Sequence, residues 1–142
     1  MASWSMKSKR ECRREIKVYC SMANEKDLKR LLEEKDCRSG DLSAATLYGA
    51  DLSNAKLSNA NLSDASLRRA YLYKANLKDA NLRRADLRGA NLSKADLRGA
   101  FLGGSDLEGA VLRGANLDFA EMSGAKLCNT VMPDGQRIFK DC

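Results

Sequence analysis

Ala50-Asp51-Leu52-Ser53-Asn54, Ala60-Asn61-Leu62-Ser63-Asp64 and Ala90-Asn91-Leu92-Ser93-Lys94 are one five-residue unit met three times. With the leucine taken as the centre, every fifth residue from Leu42 to Met132 is leucine or methionine. There are nineteen centres, and only Met122 and Met132 are not leucine. The residue two before the centre is nearly always alanine. A period of five fits neither the helix, at about 3.6 residues per turn, nor the two-residue alternation of a strand. On a helix such residues would scatter around the surface, and on a strand they would flip between faces. The chain must therefore turn by a fixed angle at each unit.

If each unit is one side of a square, four units close a coil of about 20 residues, a solenoid-scale repeat. Leucine and the preceding alanine then both point inward. Leu52, Leu62, Leu72, Leu82, Leu92, Leu102 and Leu112 are accordingly expected in the core. Residues one before, one after and two after the centre face out, and these are mostly Asp, Asn, Ser, Arg, Lys and Gly. Gly and Asn two after the centre, as at Gly89 and Asn54, suit corners that demand unusual dihedrals. Stacked coils would hydrogen-bond to one another at strand spacing, about 4.8 Å, so nearly five coils make a rod of roughly 20–25 Å.

The A-(D/N)-L-x-x pattern over residues 41–132 resembles the pentapeptide-repeat family. The resemblance implies an all-β solenoid, a right-handed quadrilateral β-helix, and a family of diverse functions. Two flanking stretches, Leu31–Leu47 and Leu127–Gly135, are similar to cyanobacterial and chloroplast-lineage members, some of which are thylakoid-lumenal. Relatives that protect gyrase resemble DNA, which requires a strongly acidic surface, and some carry Phe at C-terminal centres where two rods meet. Here residues 41–132 hold 12 basic and 10 acidic residues, and the corresponding centres are Leu117, Met122, Leu127 and Met132. Inhibition by mimicry is therefore disfavoured.

A solenoid needs its apolar ends covered. Residues 24–36 read as a helical cap: Asn24 as N-cap, Asp27 as a shortened capping box, and Leu28, Leu31 and Leu32 as one apolar stripe. Cys37 continues the five-residue register one step before Leu42. Glu11 to Met22 reads as a second helix, following five basic residues within Lys7–Arg14. At the other end, Met132-Pro133-Asp134-Gly135 reads as a β-turn with the chain's one proline at its second position. Ile138 and Phe139 are placed to fold back over the last coil. The expected organisation is a basic segment and cap over 1–40, the repeat over 41–132, and a tail cap over 133–142. The chain as it stands has no signal-peptide core and no span of membrane length. The address expected is cytoplasmic, or the thylakoid lumen if a leader has been removed.

The chain has no histidine, so the Ser-His-Asp and Cys-His nucleophile arrangements are excluded. Carboxylates on a convex rod point apart, without the shared dry cleft that shifts their pKa values. No catalytic residue, cofactor site or metal site is expected. The five cysteines allow pairs Cys128–Cys142, across the tail turn, and Cys20–Cys37, from the N-terminal segment to the first coil, with Cys12 left over. In a reducing compartment all would be thiols.

Residues 20 apart should stack in columns. One face gathers Tyr71, Tyr73, Lys74, Lys94, Val111, Arg113 and Val131. Outward aromatic and apolar side chains mark it as a candidate protein contact, against the plainer reading of cross-coil packing. Arg68, Arg69, Arg83, Arg84 and Arg88 form a candidate anion contact on two adjoining faces. Interleaved Asp64, Asp79 and Asp86 favour an ordinary solvated surface there. The function expected is a non-catalytic, protein-binding rod. The alternative is a binder of nucleic acid or anionic surfaces, and a lumenal protein with disulfide-tied ends is a third reading.

Overall fold

The computed structural model describes residues 24–142. The expected helix over Glu11–Met22, the basic run Lys7–Arg14, Cys12 and Cys20 lie outside the described residues.

From Asp36 onward the chain makes one-residue parallel bridges between positions 20 apart, in four columns. They run Asp36, Lys56, Asn76, Asp96, Asn116; then Asp41 to Glu121; then Thr46 to Lys126; then Asp51, Tyr71, Asn91, Val111, Val131. Four columns at this spacing are the four sides of a square coil. Each side is too short to count as a strand, because the chain turns again after one bridged residue. The only extended pairing among the described residues is antiparallel, β1 (Thr130–Val131) against β2 (Arg137–Ile138).

Each unit spends its backbone groups in a fixed way. The N–H of a centre donates to the coil ahead, as Leu62 to Asn81 O at 2.7 Å, and the N–H before the centre donates to the coil behind, as Asn61 to Gly40 O at 2.8 Å. The centre's own carbonyl accepts from the N–H three residues on, as Leu62 O from Ala65 at 3.1 Å, which closes a β-turn at each corner. The third residue of these turns has positive φ, the sign a type II turn requires there. Glycine meets that at no steric cost, but Arg69, Lys74, Arg84 and Lys94 adopt φ of 56°, 57°, 56° and 59°. A left-handed non-glycine residue costs about 1–2 kcal/mol, so the turn and ladder bonds on either side must outweigh it.

The N–H one after the centre is left over by this scheme, and where the residue one before the centre is Asp or Asn its side chain takes it. Asn61 Oδ1 accepts from Ser63 N at 3.1 Å, Asn81 Oδ1 from Arg83 N at 3.1 Å, and Asn91 Oδ1 from Ser93 N at 3.0 Å. The recurrent Asp or Asn is thus an Asx-turn acceptor as well as a solvated residue.

Inside, the seven leucines expected in the core are fully buried, with the alanines two before each centre beside them. Where Ser105 and Thr130 replace alanine, each is buried with its hydroxyl donating to a carbonyl, Leu102 O and Leu107 O, both at 2.8 Å. Gly40 replaces alanine for a different reason: a Cβ there would lie 2.2 Å from Cys37 Sγ.

Helix α1 (Glu25–Glu34) is shorter than residues 24–36 at both ends. Asn24 caps it, accepting from the N–H groups of Lys26 and Asp27. Asp27 does not complete a capping box. Its carboxylate accepts from Asp41 N at 2.8 Å, while Asn24 N donates to Asp41 O at 3.2 Å. Both bonds fasten the helix to the first coil. Leu28 and Leu31 join the core, and Leu32 packs against it half-buried.

Cys37 is buried and free, its thiol donating to Asp27 O at 3.3 Å. The expected pairing with Cys20 is therefore corrected: the sulfur sits under α1 instead of facing another cysteine. Burial, reinforced by Asp27, pushes its pKa up to about 11. At the other end Gly135 N donates to Met132 O at 2.8 Å, closing the proline turn, and Cys128 is bonded to Cys142. Ile138 packs against the core, but Phe139 is 65% exposed and does not fold back.

Two stability predictions follow from the core. Leu82→Ala should cost about 2–5 kcal/mol in urea unfolding, as for other leucine cavities; a loss within error of zero would mean that the side chain is not enclosed. Gly40→Ala should cost about 1–3 kcal/mol through overpacking and should raise exchange of the Asp41 amide, whereas a neutral effect would remove the close approach to Cys37.

Candidate functional site

The column Asp51-Tyr71-Asn91-Val111-Val131 forms the spine of one face. Tyr71 occupies a position that more than half of the units fill with Asp or Asn. Its side chain has no carbonyl to offer, and Tyr73 N–H has no acceptor among the described residues. Tyr71 is 55% exposed, beside a shallow hollow lined by Gly49, Asp51, Ser53 and its own ring. Lys35 of the helix C-cap reaches the Asp51 carbonyl from the N-terminal side.

Tyr73 lies half-buried between two cations. Lys74 Nζ is 5.4 Å and Lys94 Nζ 5.9 Å from its ring centroid, within the range of cation–π attraction. Tyr73, Lys74 and Lys94 therefore do come together. Val111 is half-buried two coils above Tyr71. Val131 departs from the expectation: it is buried, because the tail strand β2 covers it.

The arginines divide between two faces and are mostly neutralised. Arg84 makes a two-pronged pair with Asp64 one coil behind, both bonds 2.8 Å. Arg88 does the same with Asp86 inside its own unit, at 2.8 and 2.6 Å, and Arg68 stands 3.9 Å from that carboxylate. Arg83 pairs with Glu121 at 3.1 Å and stacks over the Phe101 ring, 4.5 Å from its centroid. Arg69 reaches the Tyr48 hydroxyl at 3.3 Å. Arg68, Arg69 and Arg88 border one hollow, but Glu108 lines it too.

The pairing rule was present in the sequence as Asp-x-Arg. Asp36, Asp86 and Asp96 each accept, through Oδ1, both the N–H and the Nε of the Arg two residues on. The Arg38 side-chain hydrogen bond holds the Asp36 pKa down at about 2 against some desolvation. For Asp86 burial opposes ionisation, and the side-chain and backbone bonds from Arg88 outweigh it, leaving the pKa lowered. Asp96 is lowered chiefly by the Arg98 side chain, and Asp64 by that of Arg84.

Among the described residues no group of His, Cys, Asp and Glu is arranged to hold a metal, and no helix is long and apolar enough to cross a membrane.

The sequence matches the family model for pentapeptide repeats, eight copies over residues 36–72, 65–104 and 102–132. Among solved structures it is similar to AT2G44920, a pentapeptide repeat protein from the Arabidopsis thaliana thylakoid lumen. The identity is 33% and the TM-score 0.62, over 70% of this chain and 66% of that one, just under two thirds. It is also similar to HetL from Nostoc, a protein involved in heterocyst differentiation regulation (37% identity, TM-score 0.39, 72% of this chain and 53% of that one). A third is alr5209 from Nostoc (36%, TM-score 0.41, 74% and 75%). A search of curated protein sequences gives no match. With the four bridge columns, the match to this group makes the fold a right-handed quadrilateral β-helix.

The lowered carboxylates set the acid limit of the rod. A depressed folded pKa contributes stability that is complete above the ordinary carboxylate range and is lost as pH falls through the folded value. Thermal stability should hold down to the ordinary Asp value of 3.8 and decline from there toward about pH 2. Asp86→Asn, which keeps the Oδ1 acceptor, should flatten that decline; an unchanged acid profile would show that the Asp86 pair carries none of it.

Proposed function

We propose, for a chain that belongs to the pentapeptide-repeat family, a non-catalytic rod that presents a side to a protein partner. In this reading the rod has nearly five coils, with α1 over one end and the proline-turn tail over the other. Residues 24–35 and 133–142 serve as caps, and the repeat between them is the functional surface.

The observation that carries the reading is Tyr71. Most units use the residue before the centre to hold the leftover N–H, and here that bond is given up for an outward aromatic ring. An outward tyrosine gains little for folding when half its surface stays in water. Aromatic side chains that are partly apolar and partly hydrogen-bonding are what protein contacts favour. Tyr71, Tyr73, Lys74, Lys94 and Val111 are accordingly proposed as the contact. Arg68, Arg69, Arg83, Arg84 and Arg88 are left to solubility, since four of the five already face a carboxylate within 4 Å. Binding of nucleic acid through them would have to displace those pairs.

A second reading concerns compartment. The bond between Cys128 and Cys142 is of a kind that persists in oxidising surroundings, and it supports an address comparable to that of the lumenal relative. Alkylating the protein as it leaves its native compartment tests this, since Cys128 and Cys142 should resist labelling until reduced; immediate labelling of both would count against it.

The contact itself is tested by placing a photoreactive phenylalanine at Tyr71, and separately at Asn59 on the next face. Irradiation in extracts of source cells should give a discrete adduct from position 71, weakened by Tyr73→Ser. Equal adducts from both positions, or none from either, would contradict the assignment.

A further inference from the structure

Lys74 and Lys94 are consecutive members of one column. Each sits at a corner of its coil, so their Cα atoms are separated by one coil spacing, about 4.8 Å. Like charges placed opposite one another across a sheet are destabilising. Several other cations of the rod meet an anion: Arg84 over Asp64, Arg88 and Arg68 about Asp86, Arg98 with Asp96, Lys126 with Glu108. Lys74 and Lys94 have no carboxylate within ion-pair distance among the described residues, and their interactions are with the Tyr73 ring. Both are also corner residues with positive φ, 57° and 59°, where glycine would be easier. Neither charge balance nor backbone conformation accounts for two lysines here.

We infer that this face recognises an acidic protein segment, one of whose carboxylates is shared by the Lys74 and Lys94 ammonium groups while its neighbours lie along Tyr73 and Tyr71. The inference rests on the contact-face reading above and names the partner's chemistry. A single carboxylate has two oxygens and about four acceptor sites, enough for two ammonium donors at coil spacing. It would relieve the repulsion that the fold leaves in place. Arg113 follows on the same face, stacked in the column of Tyr73 and Ser93, so a second acidic residue has a cation one coil further on. Asp51 lies toward the N-terminal end of the face, which directs the acidic part of a ligand to the Lys94 side. A nucleic acid fits less well. Its affinity grows with the number of phosphates neutralised, and Arg83, Arg84 and Arg88 beyond this patch already hold carboxylates.

Fluorescence anisotropy of the intact protein tests this with three labelled probes: a short oligoglutamate, the same peptide built of glutamine, and a single-stranded oligonucleotide. At near-physiological salt the oligoglutamate should bind and the glutamine peptide should not. Lys74→Gln with Lys94→Gln should weaken binding by about tenfold, the loss of one charged hydrogen bond or more, and Arg84→Gln should leave it unchanged. Lys94→Glu is the second variant. It creates an ion pair with Lys74 of the Arg84–Asp64 kind, so thermal stability should hold while oligoglutamate binding disappears. Absence of oligoglutamate binding, or equal losses from Arg84→Gln, would overturn the inference. Tighter oligonucleotide binding, lost with the same lysines, would overturn it in favour of a phosphate polymer. If the adduct from position 71 forms undiminished in the double lysine variant, the face remains a contact and the acidic partner is excluded.

Discussion

The structure depends on a backbone hydrogen bond that reaches from each centre of the interior coils to the coil ahead of it. Leucine and alanine side chains fill the interior, but burial is non-directional and would tolerate many windings. The ladder is directional. Leu62 N can meet Asn81 O only if four corners intervene, and the same offset recurs at Leu82, where N meets Phe101 O. A corner with positive φ every five residues is therefore an obligation of the ladder. It holds even where the residue is Arg, Lys or Phe, as at Phe119 with φ 61°. Register errors are correspondingly costly, since a slip by one residue would turn a leucine outward and a charged corner inward.

Much of this was legible because the period leaves no alternative. The leucine column, the alanine beside it, the corner position, the continuation to Cys37 and the proline turn all follow from spacing and side-chain size. The role of the residue before the centre was less legible. Asp and Asn are common on any solvated surface, and only the geometry shows that their Oδ1 holds the one N–H the ladder leaves over. Asp-x-Arg pairing was likewise written in the sequence, but it becomes readable only once residues two apart are known to project from the same side. Knowing that rule changes the meaning of the exceptions, Tyr71 and Val111 among them.

The ends were harder to read than the middle, for the same physical reason. A repeat constrains itself, whereas an end is built from single interactions. Asp27 looked like a local cap and proves to hold the edge N–H of Asp41, and Gly40 makes room for the Cys37 sulfur. The two ends also differ. At the first coil α1 supplies an N–H and a carboxylate to the exposed edge, and Lys35 adds an ammonium. At the last coil the tail serves the sides near Thr130 to Pro133. The amides of Leu117, Phe119, Met122 and Gly124 have no acceptor among the described residues, and Phe119 is 95% exposed.

Hydrogen exchange at single amides tests the ladder most directly. The centre amides of interior coils, Leu62, Leu82 and Leu92, should be strongly protected. Leu117 and Met122, in the same repeat position but at the open edge, should exchange far faster, as should Tyr73 N–H, which has no acceptor among the described residues. Equal protection of Leu82 and Leu117, or a protection pattern with helical or alternating periodicity across residues 41–132, would contradict a four-sided ladder.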